Sequence, residues 1–318
     1  MVVDISKSFG ALLIGGLFAS TLSGFVIVQV FVYFKTYPAD LTPLKSLVLA
    51  VWFLDTCHTA FIWSALWGYL IDNYGAPDKI DVIHWNLALT IVMTAILTFL
   101  VHLFFAYRIF MLSKKNYYLT TPIVILAILR LVSASVTTAE MLHYGTFSQF
   151  REKIRWVFTT GLALSTTVDV LITTSLIVLL QTSRTDAANL NAIIDSLIKY
   201  SFETGTLTCA GTVISMICWL TMPTNLIFMG LHFVIGKFYA NSLLVTLNMR
   251  ANIRRSRSQT SKDYNAPVHL FDTRRRHTSE SDVDHFQLSG SGTKADTAEG
   301  SKSQPLEVSV ERSVQYDL

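Results

Sequence analysis

The chain has 318 residues, of which 51% are hydrophobic and only 15% charged, whereas a soluble protein carries about a quarter of its residues as charge. Its net charge of +3, with no basic stripe interleaved with aromatics, gives no argument for nucleic acid, and no such partner is expected. Cys57, Cys209 and Cys218 all lie inside apolar runs, and there is neither a C-x-x-C pair nor an N-x-S/T sequon, so disulfide frameworks, zinc sites and N-glycosylation are not expected.

Seven apolar runs follow one another, each long enough for a membrane helix of about 20 residues. They are too long and too uniformly apolar for barrel strands, which alternate over about ten residues. The first covers residues 9–34 without a charge and contains Gly15-Gly16; it is expected to stay in the protein as a span rather than to be cleaved as a signal. The second, 46–70, carries Asp55, His58 and Thr59, which share one helix face by their i,i+3 and i,i+4 spacing. The third, 82–110, holds His102 in its later half. The fourth, 118–138, holds Arg130, and the fifth, 156–180, has Asp169 near its middle. The sixth, 197–221, opens on Lys199 and Glu203 and contains Gly205 and Gly211, small residues that allow close helix approach. The seventh, 226–247, carries His232 in its earlier half, then Lys237, Asn241, Leu244 and Asn248 along one stripe.

Orientation follows from the cations of the short loops. An outer N-terminus puts Lys35, Lys45, Arg108, Lys114, Lys115, Arg184, Lys199, Arg250, Arg254, Arg255 and Arg257 on the cytosolic side. Lys7, Lys79, Arg151, Lys153 and Arg155 then face out, so the balance is eleven to five for that orientation. Trp85, Tyr118 and Trp156 near run ends suit interfacial anchoring. The expected fold is all-α: a polytopic transmembrane bundle of seven helices over residues 1–248, N-terminus outside, with a disordered cytoplasmic tail over 249–318. That tail holds eleven cations and ten anions and few aromatics, too little apolar surface to offset chain entropy. Arg250, Arg254, Arg255 and Arg257 would attract anionic lipid of the cytosolic leaflet. Ser256, Ser258, Thr278 and Ser279 are candidate phosphorylation sites, since phosphate there counters the basic stretch.

Ionisable groups within a membrane helix cost about 2.5–3.5 kcal/mol each on insertion scales, so they are the natural candidates for function. Asp55, His58, Asp169, Glu203, Lys237, Asn241 and Asn248 form a candidate polar seam or ligand or ion site. Lys237 would pair with Asp55 or Asp169 at matching depth, and Asn241 and Asn248 would bond near Glu203. His58 beside Asp55 suits a proton relay or a satisfied core histidine. No G-x-S-x-G, H-E-x-x-H or P-loop occurs, so the chain is not expected to be an enzyme, and no cofactor or metal is implied.

Four stretches carry a resemblance: Leu54-Asp-Thr-Cys-His-Thr59, Tyr69-Leu-Ile-Asp-Asn-Tyr-Gly75, Glu203-Thr-Gly-Thr-Leu-Thr208 and the run from Lys237-Phe-Tyr to Leu247-Asn-Met-Arg250. They resemble a family of basidiomycete fungal seven-helix membrane proteins known only as domain of unknown function 6534, its domain starting near the fifth run and ending near Arg250. Phe238 and Val245 stand where that family often has Leu and Ala, both mild apolar changes. The resemblance implies the seven-helix fold and no established activity. Two functions fit the residues. One is a receptor-like, ligand-sensing protein with a cytosolic signalling partner reached through the tail. The other is a proton-coupled or small-solute transporter using the mid-membrane Asp/Lys seam. A retinal-type photosensor on Lys237 lacks the expected acidic and Trp framework on the third run.

Overall fold

The computed structural model describes residues 5–76, 79, 81–183, 188–222 and 225–263, with side chains left undescribed at 5–7, 188–193 and 251–263. Within them lie α1 (Ile5–Thr36), α2 (Thr42–Trp67), α3 (Trp85–Leu112), α4 (Tyr117–Tyr144), α5 (Phe147–Thr182), α6 (Ala188–Thr221) and α7 (Ile227–Asp263). Seven helices among these residues are long and apolar enough to cross a bilayer. In hydrocarbon no water is present to bond a bare amide, so each backbone N–H and C=O must find its partner inside its own helix.

Side-chain placement is that of a membrane protein. Phe18, Val28, Phe31, Phe53, Ile125 and Val178 stand exposed, while Asp55, His58, Thr94, His102, Arg130, Asp169 and Lys237 are buried. An apolar belt of this size on a soluble monomer would be a docking or aggregation surface. Around a bundle it is the face turned to lipid. Hydroxyls within the spans bond back to the carbonyl four residues earlier, as Ser20, Thr56, Thr98, Ser135 and Thr167 do, the usual way such groups are satisfied inside a helix.

Consecutive helices are neighbours all the way round, and α7 closes the ring against α1; α3 reaches across to α5 and α7. α7 is the most buried span and α3 the next. The closure of α7 on α1 depends on two glycines. A Cβ at Gly15 would sit on the carbonyl oxygen of Gly230, and one at Gly230 on the carbonyl oxygen of Ala11. Such backbone approach is what small residues permit in membranes. At Gly205, between α5 and α6, it is the side chain of Thr173 that occupies the space a Cβ would need.

The end where α1 begins, outer by the cation balance, is tied by polar contacts. Tyr69 follows α2 in a π-helical turn, Gly68–Asp72, and its hydroxyl donates to Val82 O at 2.6 Å. Ile83 N donates to Gly145 O at 2.8 Å, and Asp81 accepts from the amide and hydroxyl of Ser148. His84 stacks edge-on against Tyr69 at 4.6 Å, and burial holds its ring below the ordinary histidine range. The polar stretch 140–155 between the fourth and fifth apolar runs, whose polarity and cations lead one to expect a loop, is helical except at Gly145 and Thr146. Gly145 turns the chain in the left-handed region at φ 65°, and α5 then starts at Phe147 and breaks at Ile154. Phe147 and Phe150, one helical turn apart, pack into the core and hold this first segment in place. At the other end α7 continues past Asn248 to Asp263. Ser256, Ser258, Arg254, Arg255 and Arg257 lie on this extension, while Thr278 and Ser279 fall outside the described residues.

Candidate functional site: two buried ionic centres

The expected seam divides into two centres on opposite faces of α7. In the first, Lys237 and Asp55 pair at 2.9 Å with 0% and 1% exposure. Lys237 also donates to Asp55 O at 2.8 Å and to Thr59 Oγ1 at 2.6 Å, so all three ammonium protons are placed. The other carboxylate oxygen of Asp55 accepts from Ser23 on α1. Thus α1, α2 and α7 meet at one charge pair. His58, one turn from Asp55, turns instead to Thr94 on α3, with Nε2 and Oγ1 3.0 Å apart. It makes no bond to Asp55, so the Asp55–His58 relay is absent.

A ladder runs from this pair toward the inner end. Asn241 donates to Lys237 O and Leu22 O, and Gln29 donates to Asn241 Oδ1 at 2.9 Å. Asn248 donates to Gln29 O at 2.9 Å, and Tyr37 donates to Asn248 O at 3.0 Å. Arg250 pairs with Asp40 at 2.5 Å over the ring of Tyr37. Four of these contacts are hydrogen bonds between α1 and the residue after it on one side and α7 on the other. At about 0.6 kcal/mol each they amount to roughly 2 kcal/mol, enough to fix register but too little to carry the closure of the ring. That falls to the glycine crossing. Glu203, expected beside Asn241 and Asn248, is 53% exposed and lies 3.9 Å from Lys199 on its own helix. It faces away because its neighbours in the motif, Thr204 and Thr208, face in.

The second centre joins α3, α4, α5 and α7. Tyr239 donates to Asp169 Oδ2 at 2.5 Å, and His102 Nε2 lies 3.2 Å from Asp169 Oδ1. Ser165 meets the Tyr239 hydroxyl at 3.0 Å and accepts from Arg130 Nε at 3.1 Å. Every proton in this chain can point toward the carboxylate: Arg130 to Ser165, Ser165 to Tyr239, Tyr239 to Asp169, and His102 to Asp169 from the other side. Two cavities adjoin it. The inner one, about 20 Å³, is lined by His102, Asp169, Tyr239, Ser201, Thr204 and Thr208 among others. The outer one, about 30 Å³, is lined by Arg130, Thr137, Phe158 and His232. Each has room for a few water-sized groups at most. Asp55 and Lys237 line neither.

Sequence reading found Asp55, Lys237 and Asp169 but left out Ser23, Gln29, Ser165 and Tyr239. Gln29 was detectable as the one strongly polar side chain in the interior of the first run. Tyr239 stood in the Lys237-Phe-Tyr motif without a role of its own, and Ser165 carried no signal that separates it from other membrane Ser.

The fold and its buried charges define a multi-pass membrane protein of seven helices. Residues 165–252 match a family described as a family of unknown function, DUF6534. The match runs from Ser165 to just past Arg250 and so takes in Asp169, the helix-6 motif, Lys237 and Tyr239. No curated protein and no solved structure matches the chain.

Proposed function

We propose that the chain is a receptor-like, ligand-sensing membrane protein in which α7 carries the state of the two buried centres to the cytosolic side. The observation behind this is the helix itself. α7 runs unbroken from Ile227 to Asp263 and is bonded through Lys237 to α2, through Tyr239 to α5, and through Asn241 and Asn248 to α1. Packed interfaces are bistable rather than continuously deformable, so a change at either centre moves the whole rod. A cytosolic signalling partner acting through the tail belongs to this reading. So does anionic lipid at Arg254, Arg255 and Arg257, beside an Arg250 already engaged by Asp40. No catalytic role is assigned.

Pulsed EPR distances in nanodiscs test it. Labels at Lys115→Cys and Gln259→Cys, in a background without the native cysteines, report the inner end. Lys237→Met breaks the mid-bilayer pair and is expected to shift the distance distribution by several ångströms, about one helical turn. An unchanged distribution sinks the reading.

The Arg130–Ser165–Tyr239–Asp169–His102 chain between two cavities favours a second reading, a proton-coupled or small-solute transporter centred on Asp169 rather than on Asp55. Liposomes holding the purified protein and an internal pH dye then acidify under an imposed gradient, and Asp169→Asn stops them. Equal acidification with and without the protein removes this alternative.

A further inference from the structure

The outer cavity is faced by a guanidinium with a buried N–H that has no acceptor. Arg130 is 6% exposed. Its Nε donates to Ser165, while Nη1 is buried with no acceptor. Across the same space His232 is 4% exposed, and neither of its ring nitrogens has a partner. No carboxylate among the described residues forms a direct ion pair with Arg130; the nearest in the network, Asp169, is reached only through Ser165 and Tyr239 and does not line the cavity. The hydroxyl proton of Thr137 is committed to Ser133 O, and the rest of the wall is largely apolar, including Ile91, Phe158 and Leu162.

A buried donor without an acceptor is costly. Water in the cavity would bring two protons of its own to a wall that mostly donates, whereas an anion only accepts. The cavity offers N–H donors from two sides, because a histidine ring presents one in either tautomer. Its volume is about 30 Å³, where one water needs about 10–15 Å³ by the same measure. That suits a single monatomic anion and is too small for an organic acid.

We infer that the chain binds a halide-sized monovalent anion between Arg130 and His232. The site stands whether the bundle signals or transports, since it depends only on the unpartnered donors of Arg130 and His232 and the space between them.

The full chain, purified throughout in sodium gluconate and placed in nanodiscs, is titrated with sodium chloride at constant ionic strength. Thermal unfolding and the 35Cl NMR linewidth are read. The expected result is a saturable rise in melting temperature with saturable line broadening, reproduced by bromide and not by sulfate. Arg130→Gln removes the charge-assisted donor and weakens the chloride response by about tenfold or more. Should that variant fail to fold, Ala134→Leu fills the cavity from its wall, leaves Arg130 in place, and is expected to abolish the response. A melting temperature and linewidth in the native chain that are indifferent to chloride overturn the inference, leaving a cavity that holds water alone. A chloride response that persists undiminished in either variant overturns it equally.

Discussion

Lys237 and Tyr239 are two residues apart on α7, about 200° around the helix, and each takes a different aspartate. That angle explains why depth alone left Asp55 and Asp169 as equal candidates for Lys237. Both carboxylates lie near mid-span, and only the order of helices around the ring decides that α2 stands on the lysine side and α5 on the tyrosine side. Glu203 shows the same limit. Its position in a polar motif was legible, but its facing was not, because the useful residues of that motif are Thr204 and Thr208 one and five places on. The Lys237–Asp55 pair gives a sharp expectation. Removing one partner of a buried pair strands the other and costs about 3–5 kcal/mol, whereas replacing both by apolar groups of similar size is close to neutral. Lys237→Met is therefore expected to lower the melting temperature of the purified chain clearly, and Asp55→Leu with Lys237→Met to recover most of the loss. If the double variant is as unstable as the single one, the pair's stranded charge is not what the single variant suffers from.

At the scale of helices, the spans themselves were readable because apolar length is a strong signal. The segment 140–155 was misread because its cations resemble a loop, while the apolar anchors Phe147 and Phe150 that make it helical are only two residues. The glycines of α1 and α6 were readable as packing residues, though not the partner each would meet. Gly15→Ala forces the α1 and α7 backbones apart at Gly230, and overpacking of this kind costs about 1–3 kcal/mol. A lower melting temperature is expected from Gly15→Ala, and none from Gly24→Ala, where a Cβ would meet nothing. The outer turn carries a pH expectation through His84. Burial depresses its protonation in the fold, so its packing contributes fully above the ordinary histidine value of about 6.5. That contribution declines as pH falls below that value, where the unfolded chain takes up the proton more readily. Native protein should lose melting temperature between about pH 7 and pH 5, and His84→Phe, which keeps the ring against Tyr69, should lose less. Identical pH profiles would remove His84 from the account.

For the molecule as a whole, the number of spans and the reversal of polarity, apolar outward and ionic inward, follow directly from the sequence. What did not follow is the ring, because adjacency of the first and last helices is a long-range fact with no local mark. The closed ring has a consequence for how the protein is made. Of the seven spans described, α7 leaves the ribosome after the other six, and it brings a lysine into hydrocarbon at about 2.5–3.5 kcal/mol on the insertion scale. Its counter-charge, Asp55, has been waiting in the bilayer since the second span was released, itself without a cation. Biosynthesis thus passes through an interval in which six helices hold an orphaned carboxylate, and the arrival of the seventh ends it. A chain stopped before Ile227 is expected to be inserted but removed by quality control, and co-expression of the residues from Ile227 onward as a separate piece should restore its half-life in a pulse-chase. The salt bridge between Asp55 and Lys237 would then act as the signal that the seventh helix has closed the ring.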